Sequence, residues 1–83
     1  MNSANLIGAE LTGTYLTGAD LNFADLTGAN LTAANLSYTN LTAANLTDAN
    51  MTAANLCFAI VTAADWTGAD LTALIMPDGT TND

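Results

Sequence analysis

Large apolar residues recur along this chain at a fixed interval of five. In the segment ANLTAANLSYTNLTAANL, residues 29–46, leucine returns at every fifth place. We number each five-residue unit about its large apolar residue, which is position 0. Position −2 is mostly Ala, position −1 mostly Asn or Asp, and position +1 mostly Thr. An internal repeat of this kind decides the fold prediction, because each unit is one structural element. The predicted core column consists of Leu6, Leu11, Leu16, Leu21, Leu26, Leu31, Leu36, Leu41, Leu46, Met51, Leu56, Val61, Trp66, Leu71 and Met76.

A period of five suits neither a helix nor a flat strand. On an α-helix, successive leucines would lie about 140° apart and surround the whole cylinder. On a flat strand, an odd step would turn every second leucine towards water. A chain that bends once per unit avoids both problems, since every leucine can then point at a common axis. The pattern therefore predicts a solenoid in which five residues make one side of a polygonal coil.

The residues alone leave the number of sides open. Tyr38 and Phe58 hold the same unit position twenty residues apart, which favours four sides. Phe23 and Tyr38 hold it fifteen apart, which favours three. With three sides Glu10 would stack on Asp25, and like charges placed directly opposite are destabilising. The charges therefore give slight support to four sides.

The unit A-[ND]-L-T-x, repeated from Ala4 to about Pro77, resembles the motif of the pentapeptide-repeat family. The resemblance implies an all-β fold, a right-handed quadrilateral parallel β-helix with about four coils of twenty residues. It also implies that positions −2 and 0 face inward and the other three outward. We expect a single domain over residues 1–83, with repeats over about 4–77 and a C-terminal tail over 78–83. The closing MPDGT, residues 76–80, is similar to the chain end of many cyanobacterial members.

The two ends of such a solenoid are open parallel edges, which invite pairing with another chain. At the C-terminal end, Trp66 supplies a large core side chain and Pro77 removes a ladder donor. Pro77-Asp78-Gly79 is typical of a turn. At the other end only Met1-Asn2-Ser3 precedes the repeat. We predict that the N-terminal end either frays or joins another subunit, so that a homodimer through an open end is one possible assembly.

The charge of the chain limits its partners. The net charge is −8, and there is no Lys, Arg or His. Direct binding to nucleic acid or to anionic membranes is excluded, because it requires basic side chains. The longest apolar run, LCFAIV at residues 56–61, is too short to span a bilayer. No basic N-terminal segment followed by an apolar one indicates a signal peptide. We therefore expect a cytoplasmic protein that binds protein, without a membrane or a nucleic acid.

The candidate chemical groups all have a structural explanation. Cys57 follows a core leucine, should face outward, and has no basic neighbour to lower its pKa. The carboxylates at position −1 are expected to be solvated charges of the repeat; they are Glu10, Asp20, Asp25, Asp65 and Asp70. We predict no catalytic set, no metal site and no cofactor, so the chain is not expected to be an enzyme.

Several outward positions break the polar rule: Tyr15, Phe23, Tyr38, Cys57, Phe58 and Ile60. With four sides, Tyr38 and Phe58 stack, Ile60 lies just round the corner, and Tyr15 is nearby on the same face. These four residues form a possible interaction patch, since exposed apolar patches often mark interaction sites. The alternative is that the stacked aromatics only stiffen the solenoid.

Three functions follow from these patterns. The first is a non-enzymatic structural or protein-interaction solenoid of unknown partner. The alternative comes from the resemblance: some family members are acidic DNA mimics that inhibit DNA gyrase. A turn of duplex is about 34 Å long, so one chain would be too short, and its acids are distributed over several faces. A remote alternative is ice binding through the threonine ladders at position +1.

Overall fold

Parallel β-bridges set the period of the coil. The structure is a computed structural model that describes residues 3–82. Eleven isolated parallel bridges each join a residue to the one twenty places ahead, from Asn5 with Asp25 to Asn55 with Ile75. A coil therefore has twenty residues, and of the two periods left open by the residues it is the longer one that occurs. At five residues a side, each coil has four sides.

A tight turn separates each side from the next. The backbone N–H at position −2 donates to the carbonyl of the preceding core residue, as Ala24 does to Leu21 at 3.0 Å. The residue at position +2 adopts a left-handed conformation, with φ between 57° and 62° in ten residues other than glycine, among them Tyr38 and Ala43. Left-handed backbone is unfavourable for L-residues. The hydrogen bonds between coils hold this conformation, and the residue types at position +2 did not predict it.

Every backbone N–H of a standard unit has a defined acceptor. Positions 0 and +2 donate to the next coil, position −1 donates to the previous coil, and position −2 closes the turn. Position +1 donates to the side-chain oxygen at position −1. In the unit around Leu31 the bonds are Asn30 N to Ala9 O (2.8 Å), Leu31 N to Asn50 O (2.7 Å), Thr32 N to Asn30 Oδ1 (3.1 Å), Ala33 N to Thr52 O (2.9 Å) and Ala34 N to Leu31 O (3.0 Å). Because the chain turns after every unit, each side contributes one bridge residue rather than a long strand.

The apolar positions of the middle coils form a dry core. Positions −2 and 0 are buried from Leu21 to Ala59, while the core residues of the first coil are half-buried. Thr39 replaces Ala at position −2 and is also fully buried, and its hydroxyl donates to the Leu36 carbonyl at 2.7 Å. A buried hydroxyl needs such a partner. Near the other end of the column the core residues are again half-buried; they are Val61, Trp66, Leu71 and Met76.

The C-terminal segment folds back on the last coil. Strand β1 (Leu74–Ile75) pairs antiparallel with strand β2 (Thr81–Asn82). The predicted turn at residues 77–79 is present: the Gly79 N–H donates to the Met76 carbonyl at 2.8 Å, and Gly79 has a φ of 87°. A turn followed by a left-handed glycine is typical of three-residue hairpin loops. Residues 80–82 thus cover one side of the last coil.

The predicted fraying or joining of the N-terminal end involves residues 1 and 2, which lie outside the described residues; Ser3 donates from its N–H to the Asn22 carbonyl at 2.9 Å. Within residues 3–82 there is no helix of the length and apolar character needed to cross a membrane.

Candidate functional site

The register of the coils places every outward residue on one of four faces. We name the faces by the core residues behind them. Face 1 has Leu6, Leu26, Leu46 and Trp66; face 2 has Leu11, Leu31, Met51 and Leu71; face 3 has Leu16, Leu36, Leu56 and Met76; face 4 has Leu21, Leu41 and Val61. Residues at the same unit position in successive coils form a column. Residues at position +2 stand at the corner where one face meets the next.

Position −1 serves as an intramolecular acceptor over most of the solenoid. The Asn45 side-chain oxygen accepts from the Thr47 N–H at 3.0 Å and from the Thr47 hydroxyl at 2.6 Å. The same pair of bonds recurs at seven further Asn or Asp residues with a Thr or Ser at position +1. Asn and Asp side chains characteristically bond the backbone two residues on. The Asn-Leu-Thr unit is therefore a repeated hydrogen-bonding device, which the sequence reasoning missed.

Eight units in all carry both bonds. Their acceptors are Asp25, Asn30, Asn35, Asn40, Asn45, Asn50, Asp65 and Asp70. In these units the N–H at position +1 has its acceptor within the same side of the coil, and so it needs no partner from another coil.

Two of the patch residues interrupt this device. Tyr15 and Ile60 occupy position −1; Ile60 has no acceptor atom, and the only acceptor of Tyr15 is the hydroxyl at the far end of its ring. Among residues 3–82, the N–H groups of Thr17 and Thr62 consequently have no side-chain acceptor at position −1. Tyr15 is 85% exposed and Ile60 is 52% exposed. At both places an apolar side chain faces solvent where the repeat normally provides an acceptor.

At one further unit the acceptor at position −1 is absent, but no N–H at position +1 requires it. Ile75 also stands at position −1, but position +1 of that unit is Pro77, which has no N–H to satisfy. The Pro77 carbonyl still accepts from the Phe58 N–H at 2.8 Å, so the ladder between coils continues. The sequence signal for this arrangement is the pairing of an apolar residue at position −1 with Pro at position +1.

The corner between faces 3 and 4 carries two stacked aromatic rings. Tyr38 and Phe58 have ring centroids 5.1 Å apart and an interplanar angle of 21°. Both side chains are 63% exposed. We call Tyr38, Phe58 and the neighbouring Ile60 the aromatic corner, since Ile60 follows Phe58 by two residues onto face 4. Tyr15 lies on face 3 but at position −1, where it bridges to Asn35 rather than to Tyr38.

Carboxylates are concentrated away from the aromatic corner. Of the seven described, five lie on faces 1 and 2 or at the corner between them; they are Glu10, Asp25, Asp48, Asp65 and Asp70. In a four-sided coil this corner is diagonally opposite the aromatic corner. Asp20 on face 4 and Asp78 at the end of the aromatic column are the other two. The carboxylates are thus distributed over several faces, as the sequence indicated, but unevenly.

Hydrogen bonds within the repeat lower the pKa of several of these carboxyls. The Thr67 hydroxyl, followed in importance by the Thr67 N–H, holds the pKa of Asp65 below its ordinary value of 3.8. Equivalent Thr contacts lower the pKa of Asp25, Asp70 and Asp78. Donors to the ionised form stabilise it. These groups are thus stabilised as anions, which is unfavourable for a general acid near neutral pH.

Other candidate groups offer little chemistry. Cys57 is a half-buried free thiol at position +1 of face 3. Among residues 3–82 no cavity is found, and no group of three or more His, Cys, Asp or Glu residues is arranged to hold a metal ion. Two further exposed apolar residues, Ile7 and Phe23, lie outside the predicted patch. Ile7 was not among the outward apolar residues named from the sequence; it stands at position +1, which is usually Thr.

The sequence profile of the family described as pentapeptide repeats matches residues 1–32, 24–57 and 49–76, with eight copies. The pentapeptide repeat protein alr5209 from Nostoc PCC 7120 is similar in structure, with a TM-score of 0.89 and 37% identity over 90% of this chain and 62% of that one. Rfr23 from the cyanobacterium Cyanothece 51142 has a TM-score of 0.89 and 33% identity over 98% of this chain and 55% of that one.

HetL, a pentapeptide repeat protein involved in heterocyst differentiation regulation in Nostoc sp. strain PCC 7120, has a TM-score of 0.53 and 28% identity, over 99% of this chain and 51% of its own. The chain thus spans between about half and two thirds of the length of these relatives. Among curated proteins none matches the chain. Profile and structural relatives agree with the repeat read from the residues, and the chain belongs to the pentapeptide-repeat family.

Proposed function

We propose that the chain is a non-enzymatic interaction solenoid that binds another protein through the aromatic corner. The observation that carries the proposal is the exposed stack of Tyr38 and Phe58, beside Ile60, on the side of the molecule with few charges. Aromatic residues are enriched in protein interfaces, and exposed apolar patches often mark them. The position +2 column elsewhere carries mostly Ala and Gly, so the repeat itself does not require these rings.

The interruptions at position −1 support an interaction role. Ile60 and Tyr15 each forgo two hydrogen bonds that Asn would make at the same position, and each exposes apolar surface instead. Residues that break a local rule without structural gain are candidates for function. Tyr15 lies on face 3, so the proposed patch would extend from the aromatic corner across that face towards the N-terminal coil.

Several observations favour binding over catalysis. The chain has no His, Lys or Arg, so acid–base chemistry would rest on carboxylates, one thiol and two phenols. In the two position −1 columns that have more than one carboxylate, on faces 1 and 2, Asn separates them, as Asn45 separates Asp25 from Asp65. The role of HetL in regulation is compatible with a binding function.

We also propose, from the family, that the coil winds right-handedly. A cytoplasmic location and a homodimer through an open end stay predictions.

DNA mimicry is the second candidate, and the clustering of five carboxylates on faces 1 and 2 favours it. The largest extent of the structure is 27 Å, less than the roughly 34 Å of one duplex turn. Ice binding has less support, because the Thr hydroxyls donate within the repeat, as Thr32 does to Asn30 at 2.6 Å. A DNA-supercoiling assay with gyrase tests mimicry, and a thermal-hysteresis measurement tests ice binding.

The proposal is tested by affinity capture followed by a binding isotherm. The wild-type chain is compared with Phe58→Glu and with a matched control, Ala53→Glu, which has the same unit position and a similar φ of 59° but stands at the corner of faces 2 and 3. We expect saturable, stoichiometric binding that weakens at least tenfold in Phe58→Glu and stays unchanged in Ala53→Glu. Equal loss in both variants, or no saturable partner, would contradict the proposal.

A further inference from the structure

We infer that the aromatic corner binds an arginine side chain of a basic partner protein, in a notch formed by Gly18, Tyr38 and Asp20. The inference rests on the proposed interaction function and specifies the chemistry of the partner. It depends on three features: an open ring face, a carboxylate on the adjoining face 4, and the absence of cationic side chains in this chain.

The open ring face results from the order of residues in the corner column. Gly18, Tyr38 and Phe58 follow one another at position +2 in successive coils, with the Gly18 N–H donating to the Ser37 carbonyl at 3.0 Å. Phe58 covers one face of the Tyr38 ring. The other face is directed towards the coil of Gly18, which has no side chain to cover it. A Cβ placed on Gly18 would meet no atom within 4 Å, so the space is open.

Asp20 carries a carboxylate on face 4, which adjoins this corner. It follows Gly18 by two residues on face 4, and its backbone bridges to Asn40, which follows Tyr38 by two residues. Its side chain accepts from the Asn22 N–H at 3.2 Å. By contrast, Asp25 accepts from both the N–H and the hydroxyl of Thr27. Position +1 after Asp20 lacks the usual Thr, so Asp20 keeps more acceptor capacity for an external donor.

A guanidinium group satisfies both features at once. It is planar, stacks on aromatic faces and donates to carboxylates in a fixed fork. Cations over a Tyr face are stabilised by the ring quadrupole. The net charge is −8 and the chain has no Lys, Arg or His, so any cationic side chain near this surface comes from another protein. A second copy of the chain has no arginine and cannot fill the notch, so the occupant belongs to a different, basic protein.

The test uses the intact chain and an acetylated, amidated Gly-Arg-Gly peptide as the probe. NMR spectra of the aromatic side chains follow the titration, with the citrulline peptide as a neutral control of nearly the same shape. We expect saturable shifts of the Tyr38 ring, no comparable shifts of the Tyr15 ring, and at least fivefold weaker binding of the citrulline peptide. Equal affinity for the two peptides, or equal shifts at both tyrosines, would overturn the inference.

Three variants locate the site. Gly18→Phe should fill the notch and abolish the Tyr38 shifts, since Phe already occupies this unit position at Phe23 and Phe58 with φ near 60°. Ala33→Phe adds the same ring at another corner and should leave binding intact. Asp20→Asn keeps an acceptor for the Asn22 N–H but removes the charge, and should weaken the arginine peptide to the level of citrulline. Binding unaffected by Gly18→Phe would refute the notch.

The two proposals can fail separately. If the arginine peptide shows no saturable binding while Phe58→Glu still disrupts partner binding and Ala53→Glu does not, the notch is wrong and the interaction surface stands. If neither the peptide nor a partner binds at the aromatic corner, both proposals fail. If the captured partner loses affinity when its arginines are replaced by lysine, and Asp20→Asn reduces the difference, the notch is supported.

Discussion

Replacing Asn45 by Ala tests the hydrogen-bonding device that repeats through the solenoid. The substitution removes the acceptor for the Thr47 N–H, at 3.0 Å, and for the Thr47 hydroxyl, at 2.6 Å. It leaves the backbone bonds of residue 45 in place, which run to Ala24 and from Leu26. Thr47 is half-buried in a middle coil, so water replaces the lost acceptor only in part.

The expected loss of stability follows from two hydrogen bonds. Each contributes about 0.5–1.5 kcal/mol net, so Asn45→Ala should lower the free energy of unfolding by about 2 kcal/mol. For a domain of this size that corresponds to a fall in melting temperature of about 8–16 °C. Urea denaturation followed by circular dichroism measures the change, with an unchanged m-value indicating that the unfolded state is the same.

Two matched variants make the measurement specific. Tyr15→Ala changes the same unit position where no bond exists and the side chain is 85% exposed, so its effect should stay within about 0.5 kcal/mol. Asn35 accepts the same pair of bonds from Ser37 and bridges to Tyr15 and Asn55, so no carboxylate is next to it. Asn35→Asp keeps the acceptor without placing like charges opposite each other, and should therefore lose less stability than Asn35→Ala. If Asn45→Ala and Tyr15→Ala have equal effects, the side-chain acceptor does not stabilise the coil.

Three further predictions concern the core, the turns and the pH dependence. Leu36→Ala, in the dry core, should cost about 3–5 kcal/mol in urea denaturation, whereas the half-buried Leu11→Ala should cost less; equal costs would contradict the gradient of burial. Ala33→Gly should stabilise the folded protein by up to about 1 kcal/mol. Ala33 has a φ of 59°, and left-handed backbone costs an L-residue about 1–2 kcal/mol, which the greater entropy of glycine in the unfolded chain offsets in part. A melting temperature below that of the wild type would contradict this prediction. Because hydrogen bonds lower the folded-state pKa of Asp65, the stability that its carboxylate contributes is complete above the ordinary pKa of 3.8 and is lost as the pH falls through the lower folded value. The free energy of unfolding of Asp65→Asn should therefore fall less between pH 5 and pH 2 than that of the wild type, and an identical pH profile would count against the assignment.

The sequence alone determined that the large apolar residue of each unit enters the core, whereas the inward direction of position −2 came from the family resemblance. An apolar residue every five places, with a small residue two before it, is incompatible with a helix or flat strand, so a bend in every unit was required. Local spacing sufficed for this prediction, because a bend in every unit directs Leu26 and Leu31 at the common axis whatever the number of sides. The outward positions of Tyr38 and Phe58 were expected from the family resemblance, and their stacking was expected for a coil of four sides.

The tertiary structure decided how the bends close into a coil. Fifteen and twenty residues per coil were both compatible with the residues, since closure depends on the angle of each turn and on bonds between segments twenty residues apart. The left-handed φ at position +2 is set by that ladder, and so residues as different as Ala43 and Tyr38 adopt it. The 5.1 Å ring contact of Tyr38 with Phe58 and the open space at Gly18 exist because the register aligns these residues in one column. The five-residue pattern thus specifies the structure of one side of a coil, whereas the stacking of successive coils specifies which outward side chains lie next to one another on the surface.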